Sequence, residues 1–76
     1  MNKSRRLRID KVISQLEEIM SEIDDIQNDE QDCFDNLPEG LQYSARGESI
    51  EEAADCLADA SSSLQECIDH LEEARG

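Results

Sequence analysis

The chain has 76 residues, 20 of them Asp or Glu against 7 Lys or Arg, so its net charge is −13 with an apolar content of 37%. A domain this short buries only about 60% of the surface its unfolded chain exposes, and one small domain is all the length supports. Trp is absent and Phe34 and Tyr43 are the only aromatics, which excludes a large aromatic core and a platform for stacking bases.

Charge of this density usually accompanies disorder, yet the apolar residues recur at helical spacing. With Ile9 at heptad position a, apolar residues fall at a (Ile9, Leu16, Ile23), at d (Val12, Ile19, Ile26, Cys33) and at e (Ile13, Met20, Phe34). The pattern predicts an amphipathic helix over about residues 4–35. Gln27 and Glu30 fall on stripe positions, so the far end is expected to bend or pack less tightly. At the near end, Lys3, Arg5, Arg6, Arg8 and Lys11 stand against Asp10 alone. The apolar residues that follow are interrupted by Asp10, Lys11, Ser14 and Gln15, which suits neither a signal-peptide core nor a membrane span.

Asn36-Leu37-Pro38-Glu39-Gly40 then breaks the helix, because proline disfavours a helical residue before it and removes a donor. Asn36 with Glu39 has the form of a capping box, compatible with one short helical turn over residues 37–42. The second long helix starts between Ser44 and Ser49. Ser49 with Glu52 is the better capping box, since a start at Ser44 would put Gly47 in the first turn. With Ile50 at a, large residues occupy a (Ile50, Leu57, Leu64, Leu71), small ones d (Ala53, Ala60, Cys67, Ala74), and Ala54 and Ile68 sit at e. The expected fold is therefore all-α, a single antiparallel helical hairpin with a loop over about 36–48 and a second helix over about 49–75. The first stripe is wider than one helix covers, leaving Ile13, Met20 and Phe34 for a second copy in a four-helix bundle, the favoured expectation, or for docking on a foreign protein. The expected oligomer seam is Ile13, Leu16, Ile19, Met20, Ile23, Leu57, Leu64 and Ile68.

The charges are distributed unevenly. Residues 1–11 carry a net +4, whereas the remaining 65 residues set 19 acids against Arg46 and Arg75, a net −17. Most acids occupy b, c, f or g and are expected to face water. Several repeat at i, i+4: Glu18 with Glu22, Asp25 with Asp29, Glu51 with Asp55, Asp55 with Asp59, Asp69 with Glu73. Each such pair costs roughly the 0.2–0.5 kcal/mol an opposite pair would contribute. The acidic surface expected to meet a partner comprises Glu18, Glu22, Asp25, Asp29, Glu51, Asp55, Asp59 and Glu66. In a hairpin of about 50 Å the 19 acids beyond residue 11 give on the order of one carboxylate per 2.5 Å, against one charge per ~1.7 Å in duplex DNA, a value that a dimer packed side by side is expected to reach. The basic N-terminus is expected to pair across the hairpin with Asp69, Glu72 and Glu73, because cations there oppose the helix macrodipole.

No catalytic constellation stands out. Cys67 and His70 offer a zinc ion two ligands at most, and Cys67 is placed on the apolar stripe, where packing is the expected role. The acids between Asp24 and Asp32 lack the loop pattern of a calcium site. Glu18, Glu22, Glu52 and Asp55 lack both the spacing and the convergence that helical pyrophosphatases use to hold magnesium. No Ser-His or Cys-His pairing suggests a nucleophile. The expectation is a non-enzyme without cofactor or metal, and Cys33, Cys56 and Cys67, with no close pair, read as reduced thiols.

The segment Phe34-Asp35-Asn36-Leu37-Pro38-Glu39-Gly40-Leu41-Gln42, then Ser44-Ala45-Arg46-Gly47-Glu48 and Glu51-Glu52-Ala53-Ala54-Asp55-Cys56-Leu57, resembles small acidic proteins encoded by bacteriophages and bacterial mobile elements. The resemblance covers roughly the second two-thirds of the chain and is most specific in the loop. It implies a phage context and a bacterial host cytoplasm, where short acidic proteins block host defence nucleases. The expected function is inhibition of a basic, nucleic-acid-binding host protein by DNA mimicry, of anti-restriction or anti-CRISPR type. The alternative is a non-catalytic phage adaptor working through its apolar seam and loop. Leu37, Pro38, Leu41, Tyr43 and Arg46 are then either contacts for a partner or a plug closing the hairpin's end.

Overall fold

The structure, a computed structural model, describes residues 2–76. Its order is α1 (Lys3–Asp35), α2 (Glu39–Gln42) and α3 (Ala45–Arg75), and α1 packs antiparallel on α3 in an all-α hairpin 58 Å long, 15 Å wide and 12 Å thick. Asn2 caps α1, its side chain accepting from the Arg5 amide at 2.9 Å. At the other end the Asn36 amide donates to the Asp32 carbonyl at 3.0 Å. Asn36 is thus the C-cap of α1 and not the N-cap of α2. Pro38 starts the short α2, its carbonyl accepting from Leu41 and Gln42. The Gln42 side chain ties this turn back by donating to the carbonyls of Phe34 and Leu37, each at 3.3 Å.

α3 begins five residues earlier than the Ser49 capping box suggested. Ser44 is its N-cap, accepting from the Gly47 amide and donating to the Leu41 carbonyl. Gly47 makes the earlier start possible, for a Cβ there would lie 2.7 Å from the Leu41 carbonyl oxygen and closer still to that of Gln42. The first turn of α3 rests on the backbone of α2, and glycine's low helix propensity is outweighed by a contact that no other residue permits.

The seam between the long helices is a strict alternation of three and four residues. On α1 it comprises Ile9, Ile13, Leu16, Met20, Ile23, Gln27, Glu30 and Phe34; on α3, Gly47, Ile50, Ala54, Leu57, Ser61, Leu64, Ile68 and Leu71. All are buried or half-buried. In the heptad frame these are positions a and e, so position d lies outside. Ile68, 2% exposed, and Ile13, 7% exposed, form the core with Ala54.

This corrects the expected seam. Ile13, Met20 and Phe34 need no second copy, because α3 of the same chain covers them. The seven residues Ile13, Leu16, Met20, Ile23, Leu57, Leu64 and Ile68 all pack inside the hairpin, and of the expected oligomer seam only Ile19, 47% exposed, is free to meet another molecule. The reason lies in α3: its e positions carry Ile68 and Ala54 while its d positions from Ala53 onward never exceed a cysteine in size. Burying a and e removes more apolar surface from water. Gln27 and Glu30 do fall in the seam, so its loop half is more polar than its open half.

Two side-chain contacts fix the register. The Arg75 guanidinium pairs with the Asp10 carboxylate, Nη2 donating to Oδ2 at 3.2 Å, and the Ser61 hydroxyl donates to Asp24 Oδ1 at 2.8 Å. Asp10 to Asp24 and Ser61 to Arg75 are the same distance along their helices, so the pairing runs without a slip. In an antiparallel pair with this seam, the b positions of both helices flank one side and the d positions the other.

Candidate functional site

That geometry sorts the charges. At b and f, from Asp10 and Glu48 inward, stand nine acids: Asp10, Glu17, Asp24 and Asp35 on α1 and Glu48, Glu51, Asp55, Asp69 and Glu72 on α3. Neither helix places a Lys or Arg at those positions in that span. At d and g the same length of hairpin holds two acids, Glu22 and Asp29. The c positions, at the outer back of each helix, hold Glu18, Asp25, Asp32, Glu52, Asp59, Glu66 and Glu73. One broad face and both edges are acidic; the opposite face is not.

Neutral groups serve this acidic face as local partners. Gln31 donates to Asp35 at 3.1 Å, Gln65 to Asp69 at 3.0 Å, and Ser61 to Asp24. An amide or hydroxyl orders a carboxylate without cancelling its charge. Among the described residues, Arg75 with Asp10 is the one ion pair.

All eight acids expected to meet a partner are exposed, but they do not converge. Glu51 and Asp55 lie on the acidic face, Glu18, Asp25, Asp59 and Glu66 on the outer edges, and Glu22 and Asp29 beside the apolar face. Glu17, Asp24, Asp69 and Glu72 complete the face; a heptad frame set on a and e would have grouped them with Glu51 and Asp55. The expected pairing of the N-terminal cations is not formed. Arg5 and Arg8 sit at d and g, on the far side from Glu72, and none of Lys3, Arg5, Arg6, Arg8 or Lys11 lies in an ion pair with Asp69, Glu72 or Glu73 among the described residues. The pair that does form runs the other way, the acid of the basic segment meeting the base of the acidic one.

The opposite face is apolar. Val12, Ile19 and Ile26 stand exposed in a row on α1, level with Ala74, Cys67 and Ala60 of α3 in the same register. Cys33, Cys56 and Cys67 are free, exposed thiols on this side, so Cys67 is not buried as its stripe suggested. Two open grooves lie on the same face, one of about 300 Å³ at the open end between Arg5, Arg8, Val12 and Leu71, one of about 470 Å³ near the loop between Asp29, Asp32, Cys33 and Arg46. At the loop Leu37 and Gln42 turn inward; Leu41 and Tyr43, the latter 80% exposed, do not plug the hairpin's end.

Among the described residues no three His, Cys, Asp or Glu side chains gather closely enough to hold a metal ion, and no helix is long and apolar enough to cross a membrane. Comparison with protein-family models, with curated proteins and with solved structures finds no match for the chain.

Proposed function

We propose that this protein acts by binding, presenting its carboxylate face to a basic groove in which another protein holds nucleic acid. The observation that carries the reading is the gathering of nine acids on one face, with no Lys or Arg among them from Asp10 and Glu48 inward, and of seven more along its edges. Twenty acids along 58 Å give roughly one carboxylate per 2.9 Å of axis, within a factor of two of the ~1.7 Å per charge of duplex DNA. A cationic groove meeting such a surface gains the steering and counterion release that phosphates supply, so binding falls steeply with salt. Inhibition follows from occupancy, without chemistry: the groove cannot hold both ligands. In keeping with the resemblance of the loop to acidic phage proteins, the setting is a bacterial host's cytoplasm and the target a nucleic-acid-handling defence protein.

The test is capture from nuclease-treated bacterial lysate on the immobilised protein, elution by a salt gradient, and competition with duplex DNA. A nucleic-acid-binding protein retained at low salt and displaced by DNA supports the reading. Retention unchanged in a Glu17→Gln, Asp24→Asn, Glu51→Gln, Asp55→Asn, Glu72→Gln variant would refute it. A second reading, an adaptor without inhibitory activity, draws on the exposed Val12, Ile19, Ile26, Leu41 and Tyr43; its partner would stay bound in high salt and ignore DNA.

A further inference from the structure

We infer that the apolar face of the hairpin is covered by the same face of a second copy, in a two-fold dimer whose acidic faces both point outward. The inference concerns the face opposite the carboxylates and stands whatever those carboxylates bind.

Three observations meet here. The row Val12, Ile19 and Ile26 is exposed apolar surface on a helix whose a and e positions from Ile9 to Phe34 are already packed, and it continues across Ala60 and Cys67 without an intervening charge. The face also has room for a stable interface. The 58 × 15 Å outline of the hairpin encloses roughly 870 Å² per copy, against ~800 Å² per partner in a standard interface.

The third observation selects the partner. Charge along this face changes sign from end to end: Arg5 and Arg8 line the groove at the open end, and Asp29 and Asp32, outnumbering Arg46, line the one near the loop. A face that is positive at one end and negative at the other is complementary to itself when turned end over end. A two-fold axis lying in the plane between the two faces, running across the helices level with Ile19, lays Arg5 and Arg8 of each copy over Asp29 and Asp32 of the other. The parallel arrangement would set Arg8 against Arg8 and is disfavoured. The same choice keeps the nine acids of each copy on opposite outer surfaces, so two chains of net −13 associate where their own repulsion is least. Packed along one axis, the dimer carries roughly one carboxylate per 1.5 Å, beyond the ~1.7 Å of duplex DNA.

Sedimentation equilibrium on the full chain tests this. The wild type should be a dimer and the Ile19→Lys, Ile26→Lys double variant a monomer of unchanged helical circular dichroism, since neither residue belongs to the intrachain seam. Arg8→Glu or Asp29→Arg alone should each weaken the dimer roughly tenfold or more, because each change acts at both ends of a symmetric interface. The two together should restore it. Alkylation of the native thiols gives a reading that needs no change to the face: Cys33 and Cys67 should react roughly tenfold more slowly than a reporter thiol at Ser62→Cys on the acidic face, as for any opening equilibrium. A wild type that stays monomeric at its highest soluble concentration overturns the inference. So does a dimer indifferent to Ile19 and Ile26, charge reversals that do not rescue each other, or Cys33 and Cys67 labelled as fast as the reporter in the dimer.

Discussion

α1 carries two rows of isoleucine whose fates differ. Ile13 and Ile23 pack against α3, while Ile19 and Ile26, of the same residue type on the same helix, lie open on the apolar face. Nothing intrinsic to these side chains separates them. What decides is the facing helix: where α3 offers Leu57, Leu64, Ile68 and Leu71 the row is buried, and where it offers Ala60, Cys67 and Ala74 it is not. The opposite flank repeats the lesson with charge, since the positions bordering the seam on that side are mainly carboxylates and amides, with Ala58 the one apolar residue. A hairpin so thin has no interior to hide a second stripe, so each residue's surroundings are set by one contact line.

The contrast between packed and open rows predicts unequal costs. Ile68→Ala, at the most buried point of the packed row, should lose about 2–5 kcal/mol as a buried large-to-small change. For a chain of this size that is most of its stability, and urea denaturation should show a largely unfolded variant. The two glycines of the loop region sharpen the comparison at the backbone level. Gly47→Ala should cost about 1–3 kcal/mol through overpacking against the carbonyls of α2, whereas Gly40→Ala, with nothing near its Cβ, should stay within about 0.5 kcal/mol of the wild type; thermal melts of the pair compare them directly.

On the acidic side the sign reverses. Neutralising Glu51 and Asp55 to their amides should stabilise the hairpin by roughly 0.2–0.5 kcal/mol for each like-charge pair relieved, a gain that shrinks as salt screens the repulsion, while it weakens capture of a basic partner. An effect of similar, small size belongs to the Arg75–Asp10 pair. Both side chains are more than a third exposed, so Arg75→Ala should cost about 0.2–1 kcal/mol at low salt, with denaturation in added salt erasing most of the difference.

Much of the fold is legible from heptads alone: two long helices, the break at Pro38 and the hairpin. The choice of seam is harder to read, because α1 has large apolar residues at a, d and e, and its own pattern fits two contact lines equally. The deciding signal sits in α3, where Ile68 at e outweighs a d row of alanine and cysteine. The start of α3 is hidden for a different reason. Helix propensity counts Gly47 as a penalty, whereas its value comes from a backbone contact with Gln42 that exists only after folding. The acidic character was plain from composition, but its confinement to one face follows from the seam, so a shift from d to e regrouped Glu51 and Asp55 with Asp24 and Glu72 and moved Glu22 and Asp29 away.

The most direct test of this arrangement is a matched pair of substitutions on α1, Ile13→Lys and Ile19→Lys, compared by far-ultraviolet circular dichroism during thermal denaturation. Lysine is a good helix former at both positions, so the difference reports packing. The seam described here predicts that Ile13→Lys, burying a charge against α3, loses most of its helical signal at 25 °C, and that Ile19→Lys retains it. Equal losses, or a greater loss at Ile19, would mean that position d and not position e lies against α3, and the separation of the two faces would fall with it.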